Sequence, residues 1–129
     1  MQSELFKIPA FPEQANATFK FIDLFAGVGG FRMALQNLQG NCVFSSEWNK
    51  SAQETYEKNY GEKPAGDITL EETKAQIPQY FDILCGGFPC QAFSIAGYQK
   101  GFQETRGTLF FDIAEIAKKH QPRAIFLEN

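Results

Sequence analysis

The sequence predicts an α/β fold with a mostly parallel sheet, because apolar runs of strand length alternate with segments of helical period. The length of 129 residues and the hydrophobic content of 43%, which includes fourteen Phe, suit one domain with a single core. No apolar run reaches the roughly 18 residues that a membrane span requires. We therefore expect a soluble globular protein.

Strands and helices alternate in order along the chain. The predicted strands are 19–25, 42–48, 81–87 and 123–129, with a very short further strand at 66–68. The predicted helices are 30–38, 50–60 and 108–120. On the first helix, Phe31, Ala34, Leu35 and Leu38 share one face, which predicts its buried side. Two lysines in the last turn of the third helix complement the helix dipole.

The N-terminal segment, residues 1–18, contains two prolines and no sustained apolar stretch. We expect an irregular lead-in there, not a signal peptide. Three cysteines and the lone His120 lack the spacing of zinc ligands, so we expect neither a structural metal nor a disulfide framework. Free thiols are typical of a reducing compartment, which favours the cytoplasm.

The charge balance limits the kind of partner that this chain can grip alone. The formal net charge is -3 and the pI is near 5.2. These values argue against a broad basic face that contacts many phosphates. If nucleic acid is the partner, most of the gripping surface must lie elsewhere.

The distinctive motifs all fall where a predicted strand ends. These motifs are DLFAGVGGF, EW, GDI, GGFPCQ and LEN. In an open α/β sheet, ligands bind beyond the carboxyl ends of the strands. We therefore expect the five motifs to meet at one edge of the sheet and to form one site there.

The first motif predicts a nucleoside site. Gly27, Gly29 and Gly30 permit a tight turn after the strand, and Glu47 follows Gly27 by twenty positions, as suits a carboxylate that binds ribose hydroxyls. An NAD site would need a third glycine where Arg32 stands, so a nucleoside without a pyrophosphate fits better. The glycines alone are also compatible with a purely structural turn. Trp48, the only tryptophan, either stacks on an adenine or packs in the core.

Cys90 is the candidate nucleophile. Cys42 and Cys85 lie within strand patterns and are predicted to be buried. Cys90 instead follows Pro89 and opens a polar loop long enough to close over a substrate. A redox pair between Cys85 and Cys90 is disfavoured because their spacing is not C-x-x-C.

These motifs, in this order and together with RGTLFFDI, resemble those of the bacterial C5-cytosine DNA methyltransferases of restriction-modification systems. The resemblance extends from Phe19 to Asn129. It implies a Rossmann-like methyltransferase fold that uses S-adenosylmethionine and methylates C5 of a cytosine in double-stranded DNA. A metal is not implied.

The resemblance also implies roles for individual residues. Cys90 would add to C6 of a flipped cytosine as a thiolate, and Glu128 would bind the N3 and amino edge of the base. The nucleic-acid contacts would be Gln91, Ser94 and Arg106, in a loop that closes over the base. The cofactor contacts would be Phe25, Ala26, Gly27, Val28, Gly29, Gly30, Glu47, Trp48, Asp67, Ile68, Pro89 and Leu109.

Several of these residues also have structural interpretations. Asp67 after a glycine is commonly a turn residue, and Leu109 is commonly a core residue. Arg106 could be a solvated charge. Glu128 could form a salt bridge at the end of its strand.

The sequence ends at Glu128 and Asn129, inside the last motif, and the family's later arginine-bearing strand, target-recognition domain and final cofactor segment do not follow. We expect residues 19–129 to be the N-terminal part of a catalytic domain, from a truncated protein, a truncated gene or a split enzyme with a C-terminal partner. The chain alone should not methylate DNA measurably. An RNA (tRNA) cytosine-5 methyltransferase, which tends to have proline where Phe88 stands, and a non-catalytic cofactor-binding subunit are the alternatives.

Overall fold

The structure, a computed structural model, describes residues 8–87 and 109–128. Eight elements follow in chain order. They are β1 (Phe19–Leu24), α1 (Gly30–Asn37), β2 (Gly40–Ser45), α2 (Lys50–Tyr60), α3 (Glu71–Lys74), β3 (Ile83–Gly87), α4 (Leu109–His120) and β4 (Ala124–Glu128). The four main strands and three main helices of the sequence prediction are confirmed within a few residues.

The sheet has four strands in the order β2-β1-β3-β4, and every neighbouring pair is parallel. Parallel pairing requires crossover connections, and α1 and α4 provide two of them. Because all four strands run the same way, their carboxyl ends meet at one edge. The prediction that the strand-end motifs share an edge is therefore confirmed for the described ends of β1, β2, β3 and β4, whereas GDI does not end a strand.

Each face of the sheet packs against its own helix. One face buries Ile22, Leu24 and Leu84 against Ile113 and Ile116 of α4. The other face buries a second cluster, which consists of Phe21, Leu35, Cys42 and Cys85. The prediction that Cys42 and Cys85 are core residues is thus confirmed, and burial raises the pKa of each thiol to about 12.

The prediction of a short strand at 66–68 is wrong. Ser46 and Ala65 form a single isolated bridge, and the chain then turns. The Asp67 carboxylate accepts hydrogen bonds from the backbone N–H and the hydroxyl of Thr69, at 2.9 and 2.7 Å. Such a side-chain bond to the following backbone favours a turn over an extended strand. The four-residue α3, which the sequence did not predict, follows this turn.

The predicted buried face of α1 is also partly wrong. Leu35 is buried, but Ala34 is exposed and Leu38 is 66% exposed. Arg32 and Gln36 are buried instead. Arg32 can be buried because its guanidinium pairs with Glu62 at 2.5 Å and bonds Gln36 at 2.8 Å.

Two further observations concern the exposed strand β4 and the length of the helices. The last strand of the sheet, β4, leaves Ile125, Phe126 and Leu127 exposed. In residues 8–87 and 109–128, no helix has the length and apolar character needed to cross a membrane.

Candidate functional site

The glycine turn begins directly after β1 and has an unusual backbone. Phe25, Gly27 and Gly29 have positive φ angles of 52°, 57° and 96°. Positive φ is accessible to glycine but costly for phenylalanine, so the surrounding structure must hold Phe25 in place. The Ala26 N–H donates to the Ser46 carbonyl at 2.9 Å, which ties the turn to the end of β2.

Glu47 binds this turn directly. Its Oε1 accepts the Gly27 N–H at 2.8 Å, and its Oε2 accepts the Asn49 N–H at 2.9 Å. The residue is 9% exposed, so two charge-assisted hydrogen bonds offset the cost of burying its carboxylate. The twenty-residue spacing noted in the sequence thus corresponds to a contact.

A narrow slot lies beside Glu47. Its walls are Phe25, Ser46, Glu47, Trp48, Gly66, Asp67, Ile68 and Leu109. Its volume is about 10 Å³, which is roughly what one water occupies. A heterocyclic ring can enter only if a wall side chain moves. Trp48 is 65% exposed, so it is a wall of the slot and not a core residue.

The Ser46 hydroxyl has no hydrogen-bond partner among the described residues, although Ser46 is only 1% exposed. A buried hydroxyl without a partner costs about 1 to 3 kcal/mol. Because Ser46 lines the slot, a ligand or a water there could satisfy the hydroxyl. No motif or periodic pattern in the sequence indicated a role for Ser46.

A larger cavity of about 440 Å³ also has Phe25 in its wall. Its walls are Phe25, Ala26, Gly30, Phe31, Ala34, Gly87 and Glu128. This volume is typical of sites for small organic ligands. Phe25 lines both spaces, so the slot and the cavity are neighbours at the carboxyl edge of the sheet.

Glu128, one of the two predicted catalytic residues, lies beside the end of β3 in the sheet. Gly87 at the end of β3 is in register with Glu128 at the end of β4. A Cβ placed on Gly87 would lie 3.3 Å from Glu128 Oε2, so the carboxylate lies close to the β3 backbone. Cys90 follows Gly87 by three positions but lies outside the described residues, as do Pro89, Gln91, Ser94 and Arg106.

Beneath the turn lies a buried polar network that the sequence did not predict. Asp23 is 1% exposed, and its Oδ2 accepts the Tyr56 hydroxyl at 3.2 Å. The same hydroxyl accepts a bond from Arg32 Nη1 at 3.4 Å. Burial raises the pKa of Asp23 to about 7, against the opposing effects of Tyr56 and Arg32. No periodic pattern indicates such a network.

A separate cavity of about 530 Å³ lies at the opposite edge of the sheet. Its walls include Lys20, Asn41, Asp82 and Arg123, which stand near the amino ends of the four strands. It shares no wall residue with the slot or with the 440 Å³ cavity. None of the candidate site residues that the structure describes lines this cavity.

Comparison with known proteins shows which relatives the chain resembles. Residues 19–129 match the family model described as C-5 cytosine-specific DNA methylase. The chain is 72% identical over 111 residues to the Type II methyltransferase M.HpaII of Haemophilus parainfluenzae, which is 86% of this chain and 31% of that protein. It is 62% identical over 110 residues to M.HhaI of Haemophilus parahaemolyticus, covering 85% of this chain and 33% of that protein.

Among solved structures, one described as an E. coli prophage-encoded DNA modification methyltransferase has a TM-score of 0.59 at 24% identity. The match covers 81% of this chain and 30% of that one, and it supports the predicted Rossmann-like fold. The chain spans about a third of the length of the curated relatives that it matches. On the family match over residues 19–129, this chain belongs to the C-5 cytosine-specific DNA methylase family.

Proposed function

We propose that this chain forms the cofactor-binding and nucleophile-bearing part of an S-adenosylmethionine-dependent DNA cytosine-5 methyltransferase. The observation that carries the proposal is the bond between Glu47 and the Gly27 N–H, beside a slot that shares its wall residue Phe25 with a larger cavity. A carboxylate in the wall of a slot that adjoins a larger cavity suits a ligand that has a flat base, a ribose and an extended tail. We also propose that the enzyme belongs to a restriction-modification system and acts in the cytoplasm.

The polar and apolar groups around the slot suit the adenosine part of the cofactor, which would enter once a wall side chain moves. Each carboxylate oxygen of Glu47 accepts one backbone N–H, so each keeps a lone pair for a ribose hydroxyl. Asp67 uses Oδ1 to bond Thr69, and its Oδ2 has no bond among the described residues. Asp67 Oδ2 and the Ser46 hydroxyl would bind polar atoms of the adenine. Trp48, Ile68 and Leu109 would contact its faces.

The methionine part would lie along the turn from Ala26 to Gly30, beside the 440 Å³ cavity. Phe25 would separate the two halves of the cofactor, since it lines both spaces. Val28 is 55% exposed and leaves the outer side of the turn open. Pro89 would complete the wall next to the nucleophile.

The chemistry would require a thiolate, a carboxyl group and a methyl donor. Bound S-adenosylmethionine supplies an electrophilic methyl group on a sulfonium. The Cys90 thiolate would add to C6 of cytosine, and Glu128 would bind the N3 and amino edge while C5 takes the methyl group and the thioether S-adenosylhomocysteine leaves. Loss of the C5 proton to a base then restores the ring double bond and expels the thiolate. The register of Gly87 with Glu128 supports this pairing.

The target base must leave the duplex before a thiolate can reach C6. Gln91, Ser94 and Arg106 would contact the flipped nucleotide or its phosphates. The net charge of -3 indicates that this chain supplies little of the affinity for double-stranded DNA. A C-terminal part or a partner subunit would supply the target-recognition surface, and the chain alone would not methylate DNA.

Calorimetric titration of the chain with S-adenosylmethionine, with NAD as the control ligand, tests the proposal. We expect saturable binding of S-adenosylmethionine alone, lost in Glu47→Ala and kept in Glu54→Ala. Glu54 is a matched control because it is an exposed carboxylate on α2, close in sequence to Glu47. Binding of NAD, or binding that Glu47→Ala leaves unchanged, would contradict the proposal.

A further inference from the structure

The end of α2 holds the glycine turn by two consecutive side chains. Asn59 Nδ2 donates to the Val28 carbonyl at 3.0 Å, and the Tyr60 hydroxyl donates to the Gly29 carbonyl. The carbonyls are also consecutive, and they lie 31 residues away along the sequence. Two neighbouring donors on two neighbouring acceptors fix the orientation of the peptide groups in the turn.

Tyr60 is itself held firmly. It is 4% exposed, its ring centroid lies 4.8 Å from that of Tyr56, and the Arg32 guanidinium lies 4.7 Å above it. A Cβ on Gly29 would lie 2.7 Å from Cζ of Tyr60, so the turn and the ring are in close contact. A buried ring in a fixed position can direct its hydroxyl at a single acceptor.

The other end of α2 contacts Glu47, the carboxylate that we propose binds the ribose hydroxyls. Asn49 caps the helix by accepting the Ala52 N–H at 2.9 Å, and its own N–H donates to Glu47 Oε2 at 2.9 Å. Gln53 donates to the Glu47 carbonyl. The 11 residues of α2 span about 16 Å at 1.5 Å per residue. One rigid helix therefore links Glu47 to Val28 and Gly29.

We infer that Asn59 and Tyr60 are positioning residues that set the glycine turn for the methionine end of the cofactor. The inference rests on the proposed function. It goes further because neither residue touches the slot or the cavity, and both act through the backbone of the turn. The adenosine end depends on Glu47 and the slot, so it should not respond to the Tyr60 hydroxyl.

The test uses Tyr60→Phe, which keeps the buried ring and removes only the hydroxyl. The matched control is Tyr80→Phe, since Tyr80 is 76% exposed and its hydroxyl makes no bond in the described structure. Each variant is titrated with S-adenosylhomocysteine and with adenosine, which lacks the amino-acid tail. Losing one hydrogen bond should weaken S-adenosylhomocysteine binding by about 3- to 30-fold in Tyr60→Phe.

Adenosine binding should stay unchanged in Tyr60→Phe and should weaken in Glu47→Gln. If Tyr60 had a merely structural role, Tyr60→Phe would weaken the binding of both ligands to the same extent. That result would overturn the inference. Unchanged affinity for S-adenosylhomocysteine in Tyr60→Phe also overturns it. Asn59→Ala should reproduce the selective loss.

Hydrogen exchange separates failure of this inference from failure of the proposed function. If the parent chain binds neither ligand, the proposed function fails for this chain. The inference is then decided by exchange at Gly29 and Met33, whose N–H groups bond within the turn and to the Gly29 carbonyl, each at 2.9 Å. Tyr60→Phe should raise both exchange rates relative to Tyr80→Phe, and equal rates would overturn the inference.

Discussion

The Glu47 carboxylate accepts the backbone N–H of Gly27 at 2.8 Å, twenty residues away along the chain. This bond joins the turn after β1 to the segment after β2, which are neighbouring strands of the sheet. Both partners of the bond belong to the protein, so the protein's own contacts place the carboxylate at the turn. Such preorganisation lowers the cost of binding.

Replacing Glu47 by Gln should reveal how the two N–H groups depend on the carboxylate. The amide keeps the size of the side chain but has one acceptor oxygen, so either Gly27 or Asn49 loses its bond. We expect a loss of about 1 to 3 kcal/mol in the free energy of unfolding. Urea denaturation of Glu47→Gln beside Glu54→Gln measures it. Equal stability of the two variants would argue against the observed bonding.

Two glycines of one turn offer a matched comparison. Gly29 has φ 96° and a Cβ there would overlap the Tyr60 ring, whereas a Cβ on Gly27, at φ 57°, meets nothing within 4 Å. Alanine at Gly29 should therefore destabilise the chain by about 2 to 4 kcal/mol, and alanine at Gly27 by about 1 kcal/mol. Thermal unfolding of both variants shows which of the two is less stable. A reversed order would show that the ring is not packed against Gly29.

The buried Asp23 should make stability depend on pH. Burial raises its pKa to about 7, well above the value of about 3.9 in an unfolded chain. Between pH 4 and pH 7 the folded state therefore binds more protons than the unfolded state. Stability from this group is full below about pH 4 and is lost as the pH rises through about 7.

The Asp23→Asn variant should lack this loss. The titratable and charged groups of the described residues that interact with Asp23 are Arg32, Cys42, Glu47, Tyr56, Tyr60 and Cys85, and all six remain in the variant. Urea denaturation at pH 5 and pH 8 gives the difference for each protein. We expect the parent chain to lose about 2 to 4 kcal/mol more than Asp23→Asn over this range. Parallel pH profiles would show that Asp23 does not titrate there.

Ser46 should show opposite effects on stability and on binding. Its hydroxyl is buried without a partner among the described residues, so Ser46→Ala removes an unsatisfied group. Without ligand, this variant should be more stable than the parent by up to about 1 kcal/mol. With adenosine it should bind more weakly, since the ligand loses a partner. A variant that is less stable and binds equally well would contradict this account of the slot.

The periodic pattern predicted the elements that bury an apolar face. The strands of the sheet core and the helix α4, with Ile113 and Ile116 inward, follow directly from apolar spacing. The pattern failed for α1, because Arg32 is buried by partners that are distant in sequence, such as Glu62. It failed again at 66–68, where the Asp67 side chain favours a turn.

The sequence likewise indicated only some of the contacts in the candidate site. Gly27 and Glu47 were identified because their spacing reflects a contact between adjacent strand ends. Asn59 and Tyr60 carry no such signal, since they act on a turn 31 residues away through backbone carbonyls. The hydroxyl of Ser46 lacks a partner only once the fold encloses it. Contacts between residues that are distant in sequence produce no periodic pattern along the chain.

The most direct test of the account is to map where S-adenosylhomocysteine binds on the isotope-labelled chain. Amide chemical shifts follow the ligand as it is titrated. We predict the largest changes at Gly27 and Asn49, whose N–H groups bond Glu47, and at Ile68 in the slot. Changes centred instead on Lys20, Asp82 and Arg123, at the 530 Å³ cavity of the opposite edge, would contradict the central claim.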